Sequence, residues 1–303
     1  MTKYEDIKFE DLGTRRQRPM MTSKFYEFRK TLSMRDYPVY VHDYTRIFLN
    51  EIDNWIHNHK HITYKGLEAF PIREAILGTT HTLDELHHLH GPDICVFQGE
   101  YKYHRRLTNW KVQEIESRFD ILPGNVLIVS YPSCITAHYL PNFNETLDHC
   151  AELGVPVHID GAWFGQCRNF HFNVNHPAIK SVSVSLSKAL GMGSQRIGIR
   201  YSREKVIGPI SIMNDYQFCN VSDMWIGVEM MKEFGPDFWW RNYSDKYSKV
   251  CKDFGLAEMN SIHIGKKDDR DYGIRTPLRY LIDGFFDERG TDRGLNDIER
   301  NEK

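Results

Sequence analysis

Between residues 74 and 202 the chain switches again and again between strand and helix periodicity, and this alternation constrains its fold more than any other feature. "EAILG" reads as a strand, and "THTLDELHHLHG" as a helix closed by Gly91. "DICVFQ" is a strand, "YKYHRRLTN" a helix and "NVLIVSYP" a buried strand. "NFNETLDHCAELG" is a helix with Asn142 or Asn144 as its cap and Gly154 at its end. "VPVHID", "SVSVSLS" and "RIGIRYS" are three more strands. Strands spaced by helices require crossover connections, so an α/β domain is expected, with a mainly parallel sheet covered by helices on both faces.

The flanks differ. The first forty-odd residues are polar and irregular, with "RRQRP" and "MRDYP" as breakers, before the helical period of "YTRIFLNEIDNWIHNH". Beyond Tyr201, "DMWIGVEMMKEFG" and "DFWWRNYSDKYSKVCKDFG" read as helices, and "EMNSIHIG" and "YGIRTPLRYLI" as strands of a smaller unit. The expected division is an N-terminal segment 1–45, forming an arm or part of the small domain, a large domain 46–235, a small α+β domain 236–290 and a mobile tail 291–303. Hydrophobic residues make up 41% of the 303, enough for a substantial core. Lys plus Arg number 39 against 41 Asp plus Glu, so nothing in the net charge of −2 calls for nucleic acid or an anionic membrane. No apolar run approaches a membrane span, and the start lacks an apolar signal core, so a cytoplasmic protein is expected. Six scattered cysteines without a C-x-x-C pair are expected to be reduced.

Chemistry concentrates at the ends of the strands. Lys188 follows a strand that alternates valine with serine, an odd choice for packing alone. Ser185 lies three residues before it and Arg196 eight after. A lysine at a strand end lines the crevice of an α/β sheet and can form a Schiff base with a carbonyl cofactor. Serine and arginine beside it suit a phosphate. "GMGSQR" is not a dinucleotide loop, because arginine replaces the third glycine and a strand, not a helix, follows. In "VPVHIDGAWFG", Asp160 ends a strand, either as a turn residue or as a carboxylate facing the same crevice. In "ILGTTHTLDEL", Gly78, Thr79 and Thr80 open a helix, either as an ordinary cap or as an anion site.

"SLSKALGMGSQRIG" resembles the lysine motif of the fold type I pyridoxal-phosphate enzymes, above all the class I/II aminotransferases of the aspartate aminotransferase superfamily, whose pattern is Ser-x-Ser-Lys, small residues, then Arg-(Ile/Val)-Gly. "HIDGAWFG" is similar to the family's Asp-x-Ala-Tyr, "ILGTTHTLDELHHL" to its phosphate-cup strand, loop and helix, and "VFQGEYKYHRRL" to the segment that stacks an aromatic on the cofactor ring. "NVLIVSYPSCITAHYLPNFNETLDHCAELGVPVHID" follows the family's order of strand, loop and helix before the aspartate. The likeness covers about Tyr64 to Tyr201.

The resemblance implies a seven-stranded type of sheet with a reduced small α+β domain, and pyridoxal 5′-phosphate as cofactor. Lys188 would be the Schiff-base lysine and proton carrier, and Asp160 the partner of the ring nitrogen. Arg196, Ser185, Thr79 and Thr80 would hold the phosphate, with Gly78 in the same loop and Ser187 assisting. Tyr101 would stack on the ring. Tyr64 would reach the phosphate of a neighbouring subunit, implying a homodimer. Arg275, or second Arg279, would meet the substrate carboxylate. Two positions depart from the pattern: Trp163 replaces the tyrosine that bonds the ring hydroxyl, and Cys134 or Ser133 replaces the ring-facing asparagine. The implied activity is amino-group transfer from an amino acid to a 2-oxo acid by a ping-pong mechanism. The alternatives are a lyase or decarboxylase on the same fold, since "HIDGAW" also resembles the aspartate segment of group II decarboxylases, or a non-catalytic relative. The cluster His81, Asp84, Glu85, His87, His88 and His90 reads as a polar helix surface rather than a metal site, and "DFWWRNYSDKY" as packing for a connecting helix.

Overall fold

The computed structural model describes residues 4–14, 20–33, 35–38, 43–106 and 112–284. The chain divides into two units, Gln17–Ser244 with Met259–Ile262, and Met1–Arg16 with Asp245–Glu258 and His263–Lys303.

The larger unit is built on a seven-stranded sheet. Its strands are β1 (Ile72–Ile76), β2 (Ile94–Phe97), β3 (Gln113–Ile115), β4 (Val126–Ser130), β5 (Val157–Gly161), β6 (Ile179–Ser185) and β7 (Gly198–Ser202). They lie in the order β1-β7-β6-β5-β4-β2-β3. Neighbours from β6 through β3 pair in parallel, and β7 runs antiparallel to both β1 and β6. Parallel strands buried on both faces read as near-continuous apolar runs, and β4 and β5 are buried at every position. Helices cover both faces. α1 (Tyr44–His57) lies on the side of Arg73 and Tyr201, where Asp53 accepts from both, at 3.2 and 2.8 Å. α2 (Thr79–His90) lies on the opposite side, with Leu83 and Leu86 packed against Ile94, Val96, Val126 and Ile128. A buried ion cluster ties α2 to that face: Arg200 bonds Glu74 at 2.6 Å and also Glu85. Removing one carboxylate from it would cost about 3–5 kcal/mol, because it leaves a buried charge short of a partner.

α3 (Phe143–Leu153) starts after Asn142 and ends at Gly154 in the left-handed conformation (φ 68°), which a residue without Cβ adopts at no cost. α4 (Val221–Phe234) and α5 (Phe238–Asp253) follow β7 as expected. Within the larger unit, α5 buries Trp239 and Trp240, whose indoles donate to the carbonyls of Ala189 (2.6 Å) and Gln166 (3.1 Å). A parallel pair, Ile62–Lys65 with Phe170–Asn173, was not legible as strands. The helix expected from "YKYHRRLTN" spans Tyr103–Arg106, and its last residues lie outside the described ones.

The smaller unit holds a four-stranded antiparallel sheet in the order Gly13–Thr14, Arg270–Gly273, Ile264–Lys267, Ala257–Glu258. Its first strand comes from the N-terminal segment, whereas the helix Ser23–Thr31 belongs to the larger unit. The line between the units falls at Ser244/Asp245, inside α5, rather than at 235/236. The expected strand at "YGIRTPLRYLI" is a helix, α6 (Arg275–Asp283). Pro277 sits in its first turn, where the missing N–H breaks no bond, and Gly284 closes it at φ 73°. The tail 291–303 lies outside the described residues.

Candidate active site

The parallel strands deliver their C-terminal ends, and the segments after them, to one edge of the sheet. Lys188 follows β6 in the single helical turn Leu186–Ala189. Its Nζ lies 5.8 Å from the Tyr101 ring centre and 5.6 Å from that of Trp163. Burial pushes the amine below the ordinary lysine range, against the pull of Asp160, Cys134, Cys167 and Glu100. Asp160, at the end of β5, accepts from the Ala162 N–H at 2.9 Å and from the Thr79 hydroxyl. Burial pushes its carboxyl up; Lys188 and these two donors oppose the shift, and Glu100 adds to it. The same dry surroundings disfavour both charges.

β1 leads into Gly78, at φ 72°, which opens α2 without any side-chain cap bond. Over this loop lies Arg196, itself left-handed at φ 52°. Its Nη2 donates to the Leu77 carbonyl at 3.0 Å and to the Thr80 hydroxyl. A Cβ on Gly78 would stand 2.8 Å from that nitrogen, the movable end of the arginine, and the positive φ itself favours glycine. A guanidinium beside the positive end of a helix is an unfavourable pairing until an anion joins them. Two hydroxyls remain nearby in sequence: Ser185 caps the lysine turn without spending its side chain, and Ser187 Oγ is buried with no partner among the described residues.

Several expected roles are corrected. The Thr79 hydroxyl also acts on Asp160, the weakest of the influences that oppose its shift. Tyr64 is buried within the single chain, and its hydroxyl donates to the Tyr131 carbonyl of its own chain. Ser133 Oγ accepts from the N–H groups of Ile135 (3.0 Å) and Thr136 (3.3 Å), so it shapes the turn. The Cys134 thiol donates to Glu100 Oε1 at 2.7 Å, and it acts on Lys188 electrostatically. Arg275 heads α6 in the smaller unit, and Arg279 is buried there with Nε 4.0 Å from Asp283, inconsistent with the pair of strand arginines expected. In α2 the polar-surface reading fails at His87, which is buried and bonds His104 at 3.1 Å. Among the described residues no group of three or more His, Cys, Asp or Glu could hold a metal, and no helix is long and apolar enough to cross a membrane. The six cysteines form no disulfide.

Glu100 was missed. It is buried and accepts from the Ser130 N–H (2.9 Å) and hydroxyl (2.7 Å), the Tyr101 N–H (2.8 Å) and the Cys134 thiol. The one signal was an acidic residue in the otherwise uncharged run "CVFQGEY". Gln166, which donates from Nε2 to the Lys188 carbonyl at 2.8 Å, was also missed.

No protein-family model matches the sequence, and no curated protein does. Solved structures match over most of the chain. The aspartate aminotransferase from Rhizobium meliloti superposes with a TM-score of 0.58 at 12% identity, covering 79% of this chain and 68% of its own. This chain has the aspartate aminotransferase fold. A pyridoxal-phosphate-bound C-S lyase from Staphylococcus hominis, complexed with L-cycloserine, gives 0.57 at 11% identity, over 92% of this chain and 90% of that one. A probable N-succinyldiaminopimelate aminotransferase from Thermus thermophilus gives 0.55 at 16%, over 84% and 80%. The aspartate aminotransferase fold is thus shared over most of the chain.

Proposed function

We propose that the protein is a pyridoxal 5′-phosphate-dependent aminotransferase that moves an amino group from an amino acid to a 2-oxo acid. One observation carries this reading: a buried lysine of lowered pKa, a buried carboxylate beside it and an uncapped helix end under a guanidinium converge on one edge of the sheet. The residues fit the cofactor. Gly78 leaves a cradle against Arg196, and the buried Ser187 hydroxyl lacks a partner among the described residues. When bound, the cofactor supplies a carbonyl for Lys188 and an electron sink for the substrate's Cα.

The chain's own groups do the rest. Arg196, Thr80 and the α2 N-terminus bind the phosphate, and Ser185 and Ser187 add hydroxyl donors. Asp160 holds positive charge on the ring nitrogen. Tyr101 covers a ring face. The Lys188 Nζ, easier to deprotonate than an ordinary lysine, would take the proton from the substrate's Cα and deliver it to the cofactor's carbonyl carbon. The Trp163 indole can donate but not accept, and the Cys134 thiol is committed to Glu100, so the ring oxygen has different neighbours from those of the family pattern. The reading carries a homodimer with it, and Ile207, Tyr216 and Phe218 of the larger unit offer exposed apolar surface for one.

The test is a panel of amino acids incubated with the holoenzyme and 2-oxoglutarate. New oxo acid and glutamate in equal amounts are expected. Ammonia, sulfide or carbon dioxide released without glutamate would sink transfer in favour of a lyase or decarboxylase.

A further inference from the structure

Ser183, the middle serine of β6, belongs to a polar row under α2. Asp160 on β5 is the register partner of Ser183 on β6, Ser183 of Arg200 on β7, and Arg200 of Glu74 on β1. All four are buried. Thr79, Thr82 and Glu85 of α2 stand at i, i+3 and i+6, which places them along one side of the helix. Each bonds the next member of the row: Thr79 to Asp160, Thr82 to Ser183 at 2.9 Å, and Glu85 to Arg200. The other Glu85 oxygen accepts from the Ile210 N–H at 2.9 Å.

A helix ordinarily meets a sheet through apolar side chains, which resist sliding and rotation only by shape. Burying polar groups in their place is costly unless every one is matched, and here each tooth has its counterpart. Directional bonds along one side of a helix fix both its axial position and its rotation. The near tooth is the Asp160 donor, and its neighbours Gly78 and Thr80 form the loop under Arg196.

We propose that Thr82, Ser183, Glu85 and Arg200 are positioning residues: they lock α2 on the sheet so that Thr79 donates to Asp160 and the helix end faces Arg196. Asp160 and the anion cup are thereby set by one rigid element. This rests on the cofactor reading for its purpose, but its test does not.

The variants are Thr82→Val with Ser183→Ala, which removes the middle tooth at nearly constant volume, Ser183→Ala alone as the milder change, and Thr82→Ser, which keeps the hydroxyl. In cofactor-free protein the Asp160 ionisation midpoint is followed by carboxyl-carbon NMR, and pyridoxal 5′-phosphate affinity is measured separately. Lys188, Glu100 and Tyr64, the titratable groups that act on Asp160, are untouched by these changes. Weakened donation from Thr79 should raise the midpoint by about one unit and weaken cofactor binding about tenfold, while Thr82→Ser behaves as the parent. If the double variant does not fold, Ser183→Ala should show the same shifts in smaller measure. Variants that melt earlier yet keep the parent midpoint and affinity would overturn the proposal. A parent protein that binds no cofactor would defeat the functional reading alone, since the titration still decides the positioning.

Discussion

In the proposed function Arg196 and Asp160 act on opposite ends of the cofactor, so their loss should separate. Arg196→Ala removes a charge-assisted contact to phosphate and leaves the α2 N-terminus in place. Such a bond contributes about 1.5–3 kcal/mol, so affinity for pyridoxal 5′-phosphate should fall on the order of 10–100-fold. Asp160→Asn keeps the shape and removes the charge. Cofactor binding should stay within several-fold, while turnover drops on the order of 100-fold or more, because a fixed charge is lost where positive charge must be held. Equilibrium binding and single-turnover rates read the two effects apart. Equal losses in both variants would mean that the carboxylate is not at the ring nitrogen.

At the scale of elements, two buried histidines make the large sheet acid-sensitive. His158 on β5 is held down to about 3 by burial and then by His90, Arg200 and Lys180. His104, bonded to His87 on α2, is likewise held down to about 3 by burial and by His87. In the unfolded chain both take up protons near 6.5, before the folded chain does. The unfolded state therefore binds more protons between these values, and stability present above pH 6.5 is lost as pH falls toward 3. Urea midpoints should fall steadily from pH 6.5 to 4, less steeply in His158→Gln; a flat profile would contradict the account. The elements most legible in the sequence were those whose period and ends agree, such as β4 and α3 with its closing Gly154. α6 was misread because Ile274, Leu278 and Ile282 suit a strand as well as a helix. The site's lysine, aspartate and arginine were legible because spacing along one chain segment fixes them. Glu100 and the partners of Thr79, Thr82 and Glu85 were not, since those bonds join segments tens of residues apart through the register of the sheet.

For the whole molecule, the division at Ser244/Asp245 assigns the candidate site to the larger unit, and the expected arginines Arg275 and Arg279 to the smaller. The proposed assembly is a homodimer, and sedimentation equilibrium should give twice the chain mass at micromolar concentration; a single-chain mass there would remove the dimer from the reading. The central claim is that Lys188 is the covalent tether. Its most direct test is borohydride reduction of the protein mixed with pyridoxal 5′-phosphate, followed by peptide mass spectrometry. The result expected is one stoichiometric phosphopyridoxyl adduct on Lys188, absent in Lys188→Ala. A parent protein without an adduct at Lys188, or with adducts scattered over exposed lysines, would contradict the account.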